Sequence, residues 1–167
     1  MESANILSVL CFLTLTFTPA FSSAEVQQSA TLYKSNSINE VWINAGFYSY
    51  HFDQSQDLNN NNLGLGVEYR YSTASALTAG RYYNSDRQNS LYLAAMWEPI
   101  SLGPVRAGGF IGVVNGYPRA NNGEWFPLIL PSASIEYKNI GINLTITPTY
   151  RNIIYGSISL QIKFKIY

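Results

Sequence analysis

Leu128 to Tyr150 reads LILPSASIEYKNIGINLTITPTY. Ile129, Pro131, Ala133, Ile135 and Tyr137 alternate with Leu130, Ser132, Ser134 and Glu136, and further on Ile142, Leu144, Ile146 and Pro148 alternate with Asn143, Thr145 and Thr147. A period of two is the signature of a strand with one apolar face, and here it occurs twice in succession. Residues 136–141 supply the reversal, with Asn139 and Gly141 suited to left-handed backbone geometry, so the segment predicts an antiparallel hairpin. With Asn139 and Ile140 at the centre of the turn, Pro131 and Pro148 sit near the same open end of the hairpin. Neither can donate a backbone hydrogen bond, so pairing is weak there. In an isolated hairpin such prolines would mark an exposed edge, but the rest of the chain predicts more strands beside these two.

From Val41 onward eight strand-like runs follow one another, at about 41–52, 63–71, 76–83, 91–98, 105–114, 128–138, 142–150 and 155–167. Their lengths cluster near the roughly 9–11 residues with which a tilted strand crosses a bilayer. The connections alternate in length: 53–62 is long, 72–75 short, 84–90 longer, 99–104 fairly short, 115–127 long and 139–141 very short. Transmembrane barrels have this asymmetry between their two ends. Leu63, Leu65, Val67, Tyr69 and Tyr71 form one face of the second run, and Gly64, Gly66, Glu68 and Arg70 form the other. Arg106, Glu136, Lys163 and Lys165 likewise oppose the apolar face of their runs. The predicted fold is all-β: an eight-stranded antiparallel up-and-down transmembrane β-barrel with its charges inside. A soluble barrel of the lipocalin kind uses the same alternation with the faces exchanged.

Composition separates the two. The 167 residues suffice for one domain. Ten basic and ten acidic residues balance, which argues against a nucleic-acid partner. Residues 6–21, ILSVLCFLTLTFTPAF, with Ser22, Ser23 and Ala24 after them, read as a cleaved secretory signal peptide over 1–24, although Glu2 precedes the run and no Lys or Arg does. The only cysteine, Cys11, lies within it, so no disulfide or thiolate metal site is expected downstream. Residues 25–40 read as a polar periplasmic lead-in without a helical stripe, and 41–167 as the barrel. Beyond residue 25 no run approaches the roughly 18 apolar residues of a membrane helix. The apolar alternation of Ile158, Leu160, Ile162, Phe164 and Ile166 is like the terminal signal of outer-membrane proteins, with Tyr167 out of register. Aromatics at strand ends (Tyr69, Tyr71, Tyr82, Tyr83, Trp97, Tyr137, Tyr150) also favour the membrane. The expectation is a monomeric barrel in the outer membrane of a Gram-negative bacterium, with phospholipid and lipopolysaccharide as partners.

The segment from Pro127 to Pro148, with its two prolines in adjacent late strands, resembles the corresponding region of the PagP family of lipid A palmitoyltransferases. Weaker likenesses lie in Leu63-Gly64-Leu65-Gly66, in Trp97-Glu98-Pro99 and in Gly108 to Val113, so the resemblance extends over most of 41–167. It implies an enzyme that moves an acyl chain from phospholipid to lipid A or a related acceptor, with a lateral lipid portal at Pro131 and Pro148. It also implies a catalytic histidine near the first outer loop and an Asp-Ser pair in the second. Ser85 matches that serine, Asn84 replaces the acid, and Asp86 comes one residue later. His51 is the only histidine and stands several positions nearer the first loop than a gapless match would put it. The amphipathic helix that precedes the family barrel is not evident in 25–40.

Acyl transfer needs a base near neutral pKa, a hydroxyl and donors for an oxyanion. His51 fits the base, Asp53 or Asp86 an orienting carboxylate, Ser85 the hydroxyl and Asn84 the oxyanion donor; a loop-edge histidine and turn residues are the plainer readings of the same positions. Arg81, Arg87 and Arg119 are candidates for lipid phosphates or, equally, solvated loop charges. Asn59 to Asn62 read as loop formers, and Gly64, Gly66, Gly108 and Gly112 as positions relieving crowding inside the barrel, which the family resemblance implies also leave open space for an acyl chain. Asp53, Asp57 and Asp86 are too scattered to suggest a metal, and no cofactor is implied. The competing function is a non-catalytic barrel serving envelope integrity or surface contact.

Overall fold

The computed structural model describes residues 30–32, 34–151 and 153–167. The signal-peptide reading of 1–24 lies outside them. A two-residue strand, β1 (Thr31–Leu32), precedes β2 (Ser37–His51), β3 (Asn61–Ser72), β4 (Ser75–Tyr83), β5 (Asn89–Leu102), β6 (Val105–Val114), β7 (Phe126–Tyr137), β8 (Ile140–Thr147) and β9 (Ser157–Lys165). Each of β2 to β9 pairs antiparallel with its sequence neighbour, and β9 closes on β2, Tyr48 opposite Leu160 and Trp42 opposite Lys165. The result is the closed eight-stranded antiparallel up-and-down barrel expected from the alternation. β1 pairs with Ile100 and Ser101, and β2 begins at Ser37, so the lead-in contributes to the sheet earlier than its polar composition suggested.

The alternation has the membrane-protein polarity: Leu63, Leu65, Val67, Tyr69 and Tyr71 are exposed on the outer wall, while Glu68 and Arg70 are buried inside. Leu77, Leu93, Ile111, Ile129, Ile142, Leu160 and Ile162 continue the outer aliphatic surface around the barrel. Exposed aromatics border it at both ends, with Tyr69, Tyr71, Trp97 and Tyr137 toward the short turns and Tyr48, Tyr50, Phe52 and Tyr83 toward the long loops. The connections 73–74, 103–104 and 138–139 lie at one end, and 52–60, 84–88, 115–125 and 148–156 at the other.

The interior divides in two. Its short-turn half is filled by three carboxylates and three cations. Glu68 meets Arg70 (3.4 Å) and Lys163 (2.5 Å), Glu136 meets Lys163 (2.7 Å), Arg106 (2.6 Å) and Arg70 (3.3 Å), and Glu98 meets Arg70 (3.4 Å). Ser132 and Ser134 donate to Glu98, and Asn143 donates to Glu68 (2.9 Å). Trp42, fully buried, carries Lys163 and Lys165 over its ring at 4.8 and 5.3 Å. The long-loop half is lined by Phe47, Tyr82, Tyr92, Phe110, Leu128 and Leu130 and encloses a cavity of about 120 Å³.

Three details depart from the sequence reading. The β7–β8 turn is centred on residues 138–139, with Tyr137 paired to Ile140, and Lys138 rather than Asn139 or Gly141 takes the positive φ of 55°. Gly141 is needed elsewhere: it stands inside, opposite Glu136, where a Cβ would come within 2.9 Å of the Lys163 side chain. Secondly, β8 stops at Thr147 and β9 starts at Ser157, leaving a nine-residue connection where the pattern suggested a short one; Pro148 cannot extend the ladder. Thirdly, the interior glycines serve close backbone approach more than open space. A Cβ on Gly108 would strike the Trp97 carbonyl and one on Gly64 the Arg81 carbonyl, while Gly66 makes room for the Tyr92 ring.

Removing one partner from a buried charge network leaves the others uncompensated, so Lys163→Met is expected to destabilise the barrel by about 3–5 kcal/mol. Equilibrium unfolding in urea measures this, and a loss within about 1 kcal/mol, the range of exposed ion pairs, would contradict a desolvated plug.

Candidate functional site

The β7–β8 hairpin forms one wall of the cavity, and its ladder is incomplete. The β7–β8 pairing runs from Tyr137 opposite Ile140 to Ser132 opposite Thr145 and ends there. On its other edge β7 remains paired with β6 as far as Phe126 opposite Val114, past Pro131 opposite Gly109. β8 in turn remains paired with β9 as far as Thr147 opposite Ser157. The wall is therefore interrupted at one place, between 126–131 of β7 and 146–148 after the last β7–β8 pair. Pro131 and Pro148 flank the interruption, both exposed. Had the ladder continued in the same register, Pro131 would oppose Ile146 rather than Pro148, so the two prolines are staggered. Leu128 and Leu130 on one side and Thr145 and Thr147 on the other face the cavity.

At the cavity mouth, near the long-loop end, lies His51, the last residue of β2 and 4% exposed. Its Nδ1 is 2.8 Å from Asn60 Oδ1 and its Nε2 is 3.0 Å from Ser85 Oγ. An amide oxygen only accepts, so in this arrangement Nδ1 carries a proton, and in the neutral ring Nε2 offers its lone pair to the Ser85 hydroxyl. Ser85, His51 and Asn60 thus form a hydroxyl, base and orienting acceptor in series, the relation that nucleophile triads share across unrelated folds.

The loops are knitted to hold this geometry. Asn59 N–H donates to the Ser85 carbonyl (3.0 Å) and Asn59 Nδ2 to the Asn84 carbonyl (3.2 Å). Arg87 donates to the Asp57 carbonyl (2.6 Å) and carboxylate (2.8 Å). Ser49 N–H donates to the Asn60 carbonyl (2.9 Å), which fixes the residue that orients the imidazole. Asn62 Nδ2 bonds the Tyr83 carbonyl (3.0 Å) just ahead of the Ser85 turn.

Of the residues singled out by sequence, His51 and Ser85 come together and the others do different work. Asp53 does not reach His51; its carboxylate accepts from the Ser55 N–H and hydroxyl, and those hydrogen bonds hold its pKa below the usual carboxylate value. Asn84 is fully buried with both amide functions spent, donating to Ser90 Oγ (2.9 Å) and the Gly116 carbonyl (2.6 Å) and accepting from Gln88 N–H (2.9 Å), so it fastens loops and has no donor left for an oxyanion. Asp86 lines the cavity and faces Arg119 at 3.8 Å. Arg119 is 44% exposed and also lies over the Tyr155 ring at 5.0 Å. Arg87 is engaged by Asp57, and Arg81 points outward from β4. Among the described residues no cluster of His, Cys, Asp or Glu could hold a metal ion.

Asn60, which reads in the sequence as a loop former, is the partner that orients His51. Its signal was slight, one of four consecutive asparagines with nothing to mark it out before the loop is folded against β2. Across the mouth Tyr82 and Tyr117 share a hydrogen bond of 2.7 Å, and burial pushes the Tyr117 phenol well above its usual pKa, so it stays neutral. Compared with known proteins, the sequence matches no family model and no curated protein.

Because His51 is the only histidine, its ring nitrogens can be followed without ambiguity. Nitrogen NMR at a pH where the ring is neutral is expected to show the Nδ1-protonated tautomer. Asn60→Ala is expected to lose that preference and gain the other tautomer, which predominates in free imidazole side chains; an unchanged tautomer in the variant would dissolve the series.

Proposed function

We propose that this protein is an outer-membrane barrel of a Gram-negative bacterium, exported by a cleaved N-terminal signal peptide, that moves a fatty acyl chain from a phospholipid to lipid A or a related acceptor. The outward aliphatic band with aromatics at both borders, and the charges turned inward, support the membrane reading. In that setting the short turns and the chain ends face the periplasm and the long loops face outside.

One observation carries the catalytic reading. His51 and Ser85 stand at the mouth of a cavity whose side wall is interrupted between Leu130 and Thr147. An acyl chain gains nothing from hydrophobic transfer when it leaves a bilayer for a protein interior, because its former surroundings are equally apolar. A route into a barrel must therefore be low in barrier and apolar throughout, and a stretch of wall without ladder hydrogen bonds, lined by Leu128 and Leu130, meets both conditions. A chain lodged there brings its ester toward the mouth. His51 Nε2 removes a proton from a hydroxyl as that oxygen attacks the ester, and Asn60 Oδ1 holds the resulting imidazolium in place. Arg119, with half its surface open and one distant carboxylate partner, is the arginine best placed to meet a lipid phosphate.

Mass spectrometry of lipid A and phosphatidylglycerol from cells with and without the protein is the direct test. A gain of one acyl chain on either acceptor is expected, reduced by about 10²–10⁴-fold in His51→Ala, the usual worth of a positioned base. Replacing Pro131 and Pro148 together by Ala restores both backbone donors and is expected to slow transfer while leaving the His51 tautomer unchanged. If neither lipid changes although the barrel is folded in the outer membrane, the weight moves to a non-catalytic barrel with an envelope-integrity or surface-contact role.

A further inference from the structure

The Ser85–His51–Asn60 series admits two routes for acyl transfer. The serine hydroxyl either orients the acceptor during direct transfer or itself carries the acyl group. We infer that Ser85 is the nucleophile and that the reaction passes through an acyl-serine; this rests on the acyl-transfer reading above.

Four observations lead there. First, Ser85 Oγ is the atom bonded to the base, at 3.0 Å from Nε2, and no other hydrogen bond engages it among the described residues. A hydroxyl that served structure would be tied to backbone or to a second side chain, as those of Ser49 and Ser134 are. Secondly, the turn is held by its neighbours rather than by the serine side chain. Asn84 clamps it through Gln88, Ser90 and Gly116, Arg87 anchors it to Asp57, and the Ser85 carbonyl accepts from Asn59. Thirdly, Ser85 lines the same cavity as Phe110, Leu128 and Leu130, so the carbons nearest an ester on Oγ have an apolar place to lie, with the rest of a long chain passing out through the interrupted wall. Fourthly, neither the Ser85 nor the Asp86 backbone N–H donates a hydrogen bond among the described residues. The N–H following a nucleophile is a common oxyanion donor, and this position supplies one where the Asn84 amide cannot.

The steps balance. His51 Nε2 takes the Ser85 hydroxyl proton as Oγ bonds to the ester carbonyl carbon, giving a tetrahedral oxyanion. The oxyanion collapses by breaking the bond to the glycerol oxygen, which receives the proton from Nε2 and departs as the hydroxyl of a lysophospholipid. The acceptor hydroxyl then loses its proton to Nε2 and attacks the acyl-serine carbonyl. Breakage of the Ser85 ester bond releases the acylated acceptor, and Oγ recovers its proton from Nε2. Water as the acceptor gives a free fatty acid, so slow hydrolysis accompanies transfer.

The full barrel, reconstituted with dipalmitoylphosphatidylcholine vesicles, whose headgroup has no hydroxyl to accept an acyl chain, is quenched in acid and its intact mass measured. A gain of one palmitoyl group is expected, located by peptide mapping within 84–90, with one equivalent of lysophospholipid released. Ser85→Ala is expected to lose the adduct, and Ser85→Cys to accumulate a thioester that hydroxylamine removes. Adduct without later passage to lipid A would support the acyl-serine and point to another acceptor. Acyl transfer to lipid A by the wild type, with no adduct in wild type or Ser85→Cys, would overturn the nucleophile and leave the acyltransferase standing. Neither adduct, lysophospholipid nor acylated acceptor from folded protein would overturn both.

Discussion

Six charges packed inside the short-turn half of the barrel constrain the rest of the structure. Desolvating them costs several kcal/mol per ion, and mutual attraction offsets that only when nearly every charge has a partner. The three carboxylates and three cations meet this condition by sharing: Glu136 touches three cations and Arg70 touches three carboxylates. Such a network tolerates little displacement, so it sets the register of β3, β5, β6, β7 and β9 together. It also dictates neighbours. Gly141 lacks a side chain because Lys163 and Glu136 occupy that space, and the left-handed turn geometry falls to Lys138 instead.

An eight-stranded barrel has room for little more than its own side chains. With one half filled by the charge plug, any cavity must lie in the other, and it does, beneath the long loops. That half is held differently. Its wall lacks ladder hydrogen bonds beside Pro131 and Pro148, and its mouth is fastened by side-chain amides reaching backbone carbonyls: Asn59 to Asn84, Asn62 to Tyr83 and Asn84 to Gly116. A charge-packed lower barrel and a loop-knitted upper one let the side wall be interrupted without loss of the closed sheet, because β7 stays paired with β6 as far as Phe126 and β8 with β9 as far as Thr147.

The fold was legible because period-two alternation is a local property, and strands such as Leu63 to Tyr71 carry it without exception. The polarity of its faces became readable only through features beyond alternation, namely the apolar run at 6–21, the lack of cysteine after it, the terminal alternation of Ile158 to Ile166 and the aromatics at strand ends. The prolines were legible as a weakness in pairing, since a missing donor needs no tertiary context, but their stagger was not, because it follows from a turn that closes one residue earlier, on Lys138 and Asn139. The site was half legible. His51 stood out as the one histidine and Ser85 through the family pattern. Asn60 was hidden among identical neighbours, and Asn84 invited a catalytic role that its buried hydrogen bonds exclude. In general a residue's chemistry can be read from its type, whereas the partner that spends or frees it is set by the folded loops.

The central claim is that a lipid chain reaches the cavity above the charge plug through the interrupted wall. It is tested most directly with a phospholipid carrying a photoactivatable group at the end of one acyl chain, irradiated in vesicles with the folded barrel, the cross-linked residues being mapped by mass spectrometry. The account requires cross-links to interior residues of the long-loop half, Phe110, Leu128, Leu130 and Thr145, that fall when Pro131 and Pro148 are replaced by Ala. Cross-links confined to the outer wall, at residues such as Leu63, Ile129, Ile142 and Leu160, would contradict it.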